Sequence, residues 1–290
     1  MESWEEEITE ENNGAAEAGK KRRSGKLKVV LGPRDVQLLA FVAEQRFALL
    51  AQLSRRFFGQ DGASKVHPDD RSAAPSSSSS GRIQSPHKAA YRRAWKLVQG
   101  GYLMPRHVPM DRAQIYQVGK LGLSVLEDQT GAVWPYLAEV DIKNFRHDRA
   151  ITDLRLLLEP RSSKWTSERW MRLQLASAGK SGHVPDAAFR VTRQGKPVRM
   201  AIEMELSLKS LDRYPKILGQ YCELLGTRME FSPVLYICGQ GVRESLRRMK
   251  EVTANPYLFG FLDYDELETK GLSTPIYWGN DRRNVLGDLV

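Results

Sequence analysis

The sequence VPDAAFRVTRQGKPVRMAIEMEL, residues 184–206, carries the strongest structural signal in the chain. Two runs of strand-forming residues, Val184–Thr192 and Pro197–Ser207, flank a Gln-Gly turn, which is typical of a β-hairpin. If the loop has two or four residues, paired positions sum to 389 and Asp186 lies opposite Glu203. A loop of three or five residues would move Asp186 away from that partner.

The same hairpin predicts a cluster of carboxylates. Side chains alternate along a strand, so Glu203 and Glu205 share the face on which Asp186 would meet them. Like charges opposite each other destabilise a sheet, and a divalent cation would offset that repulsion. Because Mg²⁺ takes one or two carboxylates together with water and phosphate oxygens, we expect Mg²⁺ at Asp186 and Glu203. The alternative is neutralisation by a nearby cation, Arg190, Arg199 or Lys209.

The segments around the hairpin predict a mixed domain over residues 139–290. Hydrophobic periodicity indicates three helices, Asn144–Glu159, Leu211–Leu225 and Val242–Lys250. It also indicates three further strands, Arg169–Leu175, Pro233–Cys238 and Tyr257–Leu262. The resulting order, α-β-β-β-α-β followed by further elements, is typical of an α+β or α/β fold.

The front half predicts a winged helix-turn-helix over residues 33–130. Three helices are expected at Pro33–Arg46, Ala48–Phe58 and Lys88–Gln99, followed by a hairpin of Tyr102–His107 and Gln114–Val118. The serine-rich segment 59–86 is expected to be a flexible insertion, and residues 1–32 a disordered tail.

The third of these helices is the expected recognition helix. Lys88, Arg92, Arg93 and Lys96 fall within an arc of about 140° at 100° per residue, with no acid among them. We therefore expect these four side chains, and Arg106 with His107 in the following hairpin, to contact DNA. Tyr91 and Trp95 are expected in the core. The alternative is a positive face that serves solvation only.

The amino-acid composition limits the classes of function that we expect for this chain. The 290 residues carry a formal charge of +9, and the first 19 hold seven glutamates and no lysine or arginine, so the remainder carries +16. Such a high positive charge on the rest of the chain favours a polyanionic partner, most often nucleic acid. Two cysteines are too few for a disulfide framework or a zinc finger. With no long apolar run and an acidic opening, we expect a cytoplasmic protein rather than a membrane or secreted one.

The ordered motifs from residue 33 to about 225 resemble the bacterial replication-relaxation family, found on plasmids and other mobile elements. They comprise Arg34-Asp35 with Leu38-Leu39, the winged helix, Phe145-Arg146-His147-Asp148, Pro185-Asp186, Glu203-x-Glu205 and the Tyr214–Leu225 helix. The second half resembles the restriction-endonuclease-like, PD-(D/E)XK fold.

This resemblance implies a protein that binds double-stranded DNA and acts in the replication or relaxation of its element. Asp186 and Glu203 match the metal-binding acids of the nuclease superfamily, while Glu205 stands where the motif usually has lysine. In an active site, Glu205 would orient the attacking water and Lys209 or Lys216 would stabilise developing charge.

Three functions remain open from the sequence. The first is a DNA-binding protein of a mobile element with a nuclease-like domain. The second is a Mg²⁺-dependent endonuclease that nicks DNA through Asp186, Glu203, Glu205 and Lys209. The third is a winged-helix transcriptional regulator whose second domain senses a ligand or forms a homodimer.

Overall fold

A computed structural model describes most of the chain from Val29 onward. The described residues are 29–59, 85–108, 113–134, 137, 139–160, 164–179, 183–193, 196–207, 212–226, 231–251, 253, 256–279 and 283–289. The expected disordered tail therefore lies outside them up to residue 28, as does the expected insertion between residues 60 and 84.

The first unit has the order α-β-α-α-β-β-α. Its elements are α1 (Pro33–Gln45), β1 (Ala48–Leu49), α2 (Leu50–Phe57), α3 (Pro86–Gln99), β2 (Leu103–Val108), β3 (Ala113–Val118) and α4 (Lys120–Thr130). The three strands form an antiparallel sheet in the order β1-β3-β2. All three predicted helices and the hairpin are present, although the first two residues of the predicted second helix form β1 instead.

Local sequence signals explain where α3 begins and ends. The hydroxyl of Ser85 accepts a hydrogen bond from the backbone N–H of Lys88, and Pro86 is the first helical residue, where its missing N–H costs nothing. After the helix, Gly101 adopts a φ of 77°, a conformation that glycine takes without strain. The chain then turns directly into β2.

In its described residues, the second unit contains five α-helices and a seven-stranded sheet. The helices are α5 (Phe145–Leu158), α6 (Glu168–Ser177), α7 (Arg213–Gly226), α8 (Val242–Lys250) and α9 (Tyr264–Lys270). The strands are β4 (Trp165–Ser167), β5 (Ala187–Arg193), β6 (Lys196–Glu205), β7 (Phe231–Cys238), β8 (Phe259–Asp263), β9 (Pro275–Trp278) and β10 (Arg283–Val285).

The sheet order is β10-β9-β8-β7-β6-β5-β4. Strands β6, β7 and β8 run parallel, and the remaining neighbours are antiparallel. The expected mixed α+β class is confirmed.

The hairpin has the predicted register. Ala187 pairs with Ile202 and Arg193 with Lys196, so every pair sums to 389 and the loop has two residues. The regular ladder ends at Ala187, immediately before Asp186, which follows the buried Pro185. Asp186 and Glu203 are thus brought to the end of two adjacent strands.

The predicted strand Arg169–Leu175 is wrong: these residues lie within α6. Ser167 caps the helix by accepting a hydrogen bond from the N–H of Trp170, and Glu168 places a negative charge in the first turn. The apparent alternation of Met171 and Leu175 is equally a helical i, i+4 spacing, and both pack into one apolar cluster. The short strand β4 takes the edge position instead.

Apolar clusters cover both faces of the large sheet. On one face α5 and α9 pack against Met200, Ile202 and Met204, and on the other α6, α7 and α8 pack against the alternate residues such as Ala201. Within the described chain, no helix is long and apolar enough to cross a membrane.

The two units share a continuous interface. Trp134 and Leu156 belong to the apolar cluster of the first unit, and the rings of Phe47 and Phe145 stack at 5.1 Å. The buried Arg155 of α5 bonds Glu44 of α1 at 2.6 Å. Apolar packing and buried ion pairs therefore hold α1 and α2 against α5.

Candidate functional site

The exposed side of α3 forms a positive and aromatic surface, which we call the α3 face. Its side chains lie within an arc of about 140°, calculated at 100° per residue. The face consists of Lys88, Tyr91, Arg92, Trp95 and Lys96, all of which are exposed. The opposite side of the helix buries Ala90, Ala94 and Leu97. No acidic side chain occurs anywhere in α3.

Arg93 does not belong to the α3 face. Its Nε donates to Asp35 of α1 at 2.6 Å, and its Nη2 donates to the same carboxylate and to the carbonyl of Val30. The hydrogen bond that Arg93 donates to Asp35 raises the pKa of the Arg93 guanidinium. The structure thus places this predicted DNA contact in an ion pair that joins α3 to α1.

The prediction of Tyr91 and Trp95 as core residues is wrong. Tyr91 is 49% exposed and Trp95 48% exposed. The exposed arc is rotated by about 60° from the predicted one, toward these rings and away from Arg93. The small residues Ala90 and Ala94 occupy the buried positions because α3 lies close to α2. Exposed aromatic rings interleaved with cations are well suited to contact base edges and sugars.

The β2–β3 hairpin adds a second exposed positive position. Arg106 and His107 are adjacent on β2, exposed, and paired in the ladder with Ile115 and Gln114. The tip between residues 108 and 113 lies outside the described residues. The structure thus leaves both predicted hairpin contacts accessible to a partner.

Asp186 lies at the end of the large sheet, where it is tied to three elements. Its Oδ2 accepts a hydrogen bond from the N–H of Met204 at 2.8 Å and lies 3.1 Å from Nε2 of His147. Its backbone carbonyl accepts from the N–H of Glu168 at 3.1 Å. The carboxylate is therefore positioned by β6, α5 and the start of α6.

Glu203 is buried beside Asp186 and makes two side-chain contacts. Nε2 of His183 lies 2.6 Å from its Oε1, and the hydroxyl of Tyr221 donates to the same oxygen. Burial raises the pKa of Glu203, hydrogen bonding from His183 opposes this, and the charge of Asp186 raises it further. The net direction is upward, so Glu203 holds a proton at higher pH than an ordinary glutamate.

Glu205 shares the strand face of Glu203, as alternation requires, and is 4% exposed. It pairs in the parallel ladder with Cys238 of β7. Burial and the charge of Glu205 raise the pKa of the Cys238 thiol, which stays protonated at neutral pH. Cys238 is thus a buried thiol without nucleophilic character.

His147 links the acid cluster to the first unit. Burial lowers its pKa, but hydrogen bonds to Asp148 and Asp186 outweigh burial and raise the pKa to about 10. Asp148 in turn bonds Arg46 at 2.8 Å, and a second nitrogen of Arg46 bonds Glu168 at 2.6 Å. Arg46 has a φ of 69°, unusual for a residue other than glycine, and these two ion pairs hold it there.

Sequence reasoning missed three of the groups that surround the acids. His183 lies three residues before Asp186, a spacing that suggested proximity but not contact with Glu203. Tyr221 lies within the predicted helix Leu211–Leu225, and its buried hydroxyl donates to Glu203. Arg46 follows α1, 140 residues from Asp186, and no local pattern connects them.

The remaining predicted site residues are not part of the cluster as described. Lys209 lies outside the described residues. Lys216 is exposed on α7. Arg190 and Arg199, considered as neutralising partners, lie four residues along the strands from Asp186 and Glu203 and line a different cavity.

The number and type of side-chain ligands near Asp186 and Glu203 determine which metal ion could bind there. Among the described residues, no group of three or more histidine, cysteine, aspartate or glutamate side chains is arranged to hold a metal ion. Two carboxylates nevertheless meet the requirement of Mg²⁺, which keeps most of its ligands as water and phosphate oxygens. Asp186 and Glu203 thus offer carboxylate ligands in the number that Mg²⁺ usually takes from a protein.

Comparisons with family models, curated proteins and solved structures found no match to this chain.

Proposed function

We propose that this protein binds double-stranded DNA through the α3 face, which would enter the major groove. The observation that carries this proposal is an exposed helical surface with three cations, two aromatic rings and no acid. Arg92 and Lys96 lie one helical turn apart on this face and would contact bases and phosphates, while Lys88 near the N-terminus would contact the backbone.

The arrangement around α3 supports the proposal. The order α1-β1-α2-α3-β2-β3 with a three-stranded sheet is the one expected of a winged helix-turn-helix, in which α3 is the recognition helix and β2–β3 the wing. Arg106 in that wing would contact the adjacent backbone. The resemblance to the replication-relaxation family adds a role in maintaining a plasmid or mobile element, and a homodimer is part of the alternative role as a transcriptional regulator.

The test is duplex binding by a charge-reversed α3 face. We expect Arg92→Glu with Lys96→Glu to weaken binding of a 30-base-pair duplex by about 100-fold or more, since each residue contributes roughly 1–3 kcal/mol. The plot of log affinity against log salt concentration should also become less steep, because fewer counterions are released on binding. Fluorescence anisotropy at several salt concentrations measures both quantities.

The matched control reverses two exposed cations of the second unit. Arg248→Glu with Lys270→Glu changes the net charge equally, and both side chains are largely exposed in surface ion pairs. We expect this control to lose at most a few-fold in affinity through the general field. Equal losses in the two double variants would contradict the α3 face as the binding surface.

A second candidate function, a Mg²⁺-dependent DNA nuclease, is favoured by the position of Asp186 and Glu203 at the end of adjacent strands. The order α5-β4-β5-β6-α7-β7 supports the resemblance to the restriction-endonuclease-like fold, with α6 inserted after β4. Asp186 and Glu203 would hold Mg²⁺, which would supply Lewis-acid polarisation of a scissile phosphate. His147 holds a proton beside Asp186 and would keep that carboxylate oriented.

Conversion of supercoiled plasmid to open circle tests this second function. If the protein is a nuclease, we expect Mg²⁺-dependent nicking that Asp186→Asn abolishes, because asparagine keeps the acceptor for Met204 but loses the charge. Asp265→Asn, at an exposed position in α9, is the control and should nick normally. A plasmid left supercoiled by the wild-type protein with Mg²⁺ or Mn²⁺ would leave DNA binding as the function.

A further inference from the structure

Arg46 is the residue through which the first unit contacts the groups that hold Asp186. It follows α1 directly, and its side chain reaches α5 and α6 of the second unit. Nη1 donates to Oδ1 of Asp148 at 2.8 Å, and Nη2 donates to Oε2 of Glu168 at 2.6 Å. Because the guanidinium presents its donors in a rigid planar fork, Arg46 sets the positions of these two acids relative to each other.

Asp148 connects Arg46 to the carboxylate of Asp186. Oδ1 of Asp148, the atom that Arg46 contacts, lies 3.1 Å from Nδ1 of His147. Nε2 of the same ring lies 3.1 Å from Oδ2 of Asp186. The imidazole is therefore held at both of its nitrogens, and its orientation depends on where Asp148 is placed. An unbroken chain of contacts thus runs from the first unit to the Asp186 carboxylate.

Glu168 connects Arg46 to the backbone of Asp186. Its N–H donates to the carbonyl of Asp186 at 3.1 Å, while its side chain bonds Arg46. Burial lowers the pKa of the Arg46 guanidinium, but the charges of its two bonded acids and of Asp186 outweigh burial and raise it. Both the carboxylate and the main chain of Asp186 therefore contact groups that Arg46 holds.

The backbone of Arg46 shows that its position is tightly constrained. Its φ is 69° and its ψ is −40°, and among the described residues it is the only one other than glycine with a positive φ. This ψ lies outside the left-handed helical region that such residues occasionally adopt. Conformations of this kind persist only where the surrounding contacts determine them, and they cluster at functional sites. The strain lies at the residue that joins the first unit to the supports of Asp186.

Arg56 makes an ion pair of the same kind that does not lead to Asp186. It lies in α2, and its Nη2 is 3.0 Å from Oε2 of Glu159 at the C-terminal end of α5. The side chain of Arg56 is 34% exposed, against 33% for Arg46. Glu159 lies roughly 18 Å along the axis of α5 from His147, since a helix rises about 1.5 Å per residue. The two arginines are thus matched in charge, in exposure and in joining the first unit to α5.

We propose that Arg46 is a positioning residue for Asp186. It acts on the carboxylate through Asp148 and His147, and on the backbone through Glu168. Because Arg46 belongs to the first unit, the geometry of the acid cluster depends on how the two units pack together. The part of this inference that concerns a metal rests on the second candidate function, whereas the orientation of Asp186 does not.

Binding of Mn²⁺, used in place of Mg²⁺, tests the proposal in the full chain by calorimetry. Loss of a group that orients a metal ligand weakens metal binding roughly 10- to 100-fold in proteins. We expect Arg46→Gln to weaken Mn²⁺ binding at least about 10-fold, and Arg56→Gln to change it less than about 2-fold. Both variants should melt at a lower temperature, because each removes an ion pair between the two units.

The direction of the affinity change separates positioning from simple electrostatics. Removing a positive charge near Asp186 and Glu203 would by itself strengthen the binding of a cation. Weaker Mn²⁺ binding by Arg46→Gln therefore reports a displaced ligand. If Arg46→Gln does not fold, Arg46→Lys serves instead, because its ammonium keeps the charge but lacks the fork that holds two acids. Arg46→Lys should also bind Mn²⁺ more weakly than wild type.

The ring-nitrogen NMR signals of His147 measure the same chain of contacts without metal. Isotope-labelled histidine reports these signals, and His147→Gln identifies which of them belong to this residue. We expect the His147 signals to shift in Arg46→Gln, because Asp148 loses the guanidinium that holds it. They should keep their positions in Arg56→Gln, whose ion pair lies at the other end of α5.

The outcomes distinguish this inference from the metal-binding function. If wild type binds Mn²⁺ and Arg46→Gln binds it as tightly as Arg56→Gln does, the positioning proposal is overturned and the metal site stands. If wild type binds no Mn²⁺, the metal-binding function fails and the His147 signals decide. Signals that shift only in Arg46→Gln support the proposal, whereas signals that are the same in wild type and Arg46→Gln overturn it.

Discussion

The α3 face and the acid cluster both concentrate charge, but the side chains of the α3 face are exposed whereas the acids contact histidine and tyrosine side chains of the fold. On α3, Lys88, Arg92 and Lys96 are exposed. At the end of β5 and β6, Asp186 contacts His147, and Glu203 contacts His183 and Tyr221. An exposed cation can bind a phosphate at little structural cost, whereas a buried acid must rearrange its partners before it binds anything new.

This difference separates the two proposed functions in energetic terms. The α3 face is ready to bind as it stands, and its substitutions should change affinity more than stability. The acid cluster is integrated into the junction of α5, α6 and the sheet, so its substitutions should change stability as well. Four experiments test whether the two regions differ in this way.

The largest loss of unfolding free energy is expected when Glu203 is replaced. Its removal in Glu203→Ala leaves the buried Tyr221 hydroxyl and His183 without their acceptor, which should cost about 3–5 kcal/mol of unfolding free energy. Glu244→Ala, in an exposed ion pair of α8, should cost less than about 1 kcal/mol. Urea unfolding measures both. A Glu203→Ala variant more stable than wild type would mean that the acids repel each other and await a cation.

Neighbouring arginines of α3 offer the next comparison. Arg93→Ala breaks the ion pair with Asp35 and should cost about 1.5–3 kcal/mol of stability. Arg92→Ala changes an exposed side chain and should stay within about 0.5 kcal/mol, while weakening DNA binding. Urea unfolding of the two variants measures their stability, and fluorescence anisotropy measures their affinity for DNA. Similar stability losses at both positions would remove the distinction between structural and binding arginines.

The raised pKa of His147 predicts a pH dependence of stability. A folded-state pKa of about 10, above the ordinary 6.5, means that protonated His147 stabilises the fold fully below pH 6.5. That contribution is lost as the pH rises toward 10, by up to about 1.4 kcal/mol per pH unit. Unfolding free energies from pH 6 to 10 should therefore fall more steeply for wild type than for His147→Gln. Parallel curves would show that His147 is neutral in the folded protein.

The smallest effect is expected at Trp95. Because its ring is 48% exposed, Trp95→Ala should leave stability within about 0.5 kcal/mol and weaken duplex binding about 5-fold through lost apolar contact. Leu121→Ala, an exposed apolar residue of α4, is the control and should leave affinity unchanged. If Trp95→Ala instead lost as much unfolding free energy as a core substitution, the Trp95 ring would be packed against the protein rather than exposed to a partner.

Local signals allowed most of the fold to be predicted. The hairpin of β5 and β6 was predictable as an element, and its pairing was one of the two that the possible loop lengths allowed; the two-residue loop selects it. Helices α1, α3, α5 and α7 follow from apolar periodicity and from start signals such as Pro33, the first helical residue of α1, and the cap Ser85 of α3. The failure at α6 came from a segment in which strand alternation and helical spacing coincide, and its cap at Ser167 was the signal that could have resolved it.

The candidate sites were predictable only in part. Hydrophobic periodicity placed Arg92 and Lys96 on an exposed side of α3, but it wrongly included Arg93 on that side and left Trp95 out. That choice depends on Asp35 of α1, which no pattern within α3 reveals. In the same way, the pairing of the hairpin brought Asp186 beside Glu203 without revealing that histidine and tyrosine surround them.

The residues along this chain determined its helices, its hairpin register and the shared strand face of Glu203 and Glu205, because these depend on neighbours close in sequence. Three-dimensional packing alone selected the long-range partners: Asp35 for Arg93, Tyr221 for Glu203, and Asp148 for Arg46. A charged side chain removed from water takes whichever opposite group the packed elements bring within reach, and that group can lie more than a hundred residues away.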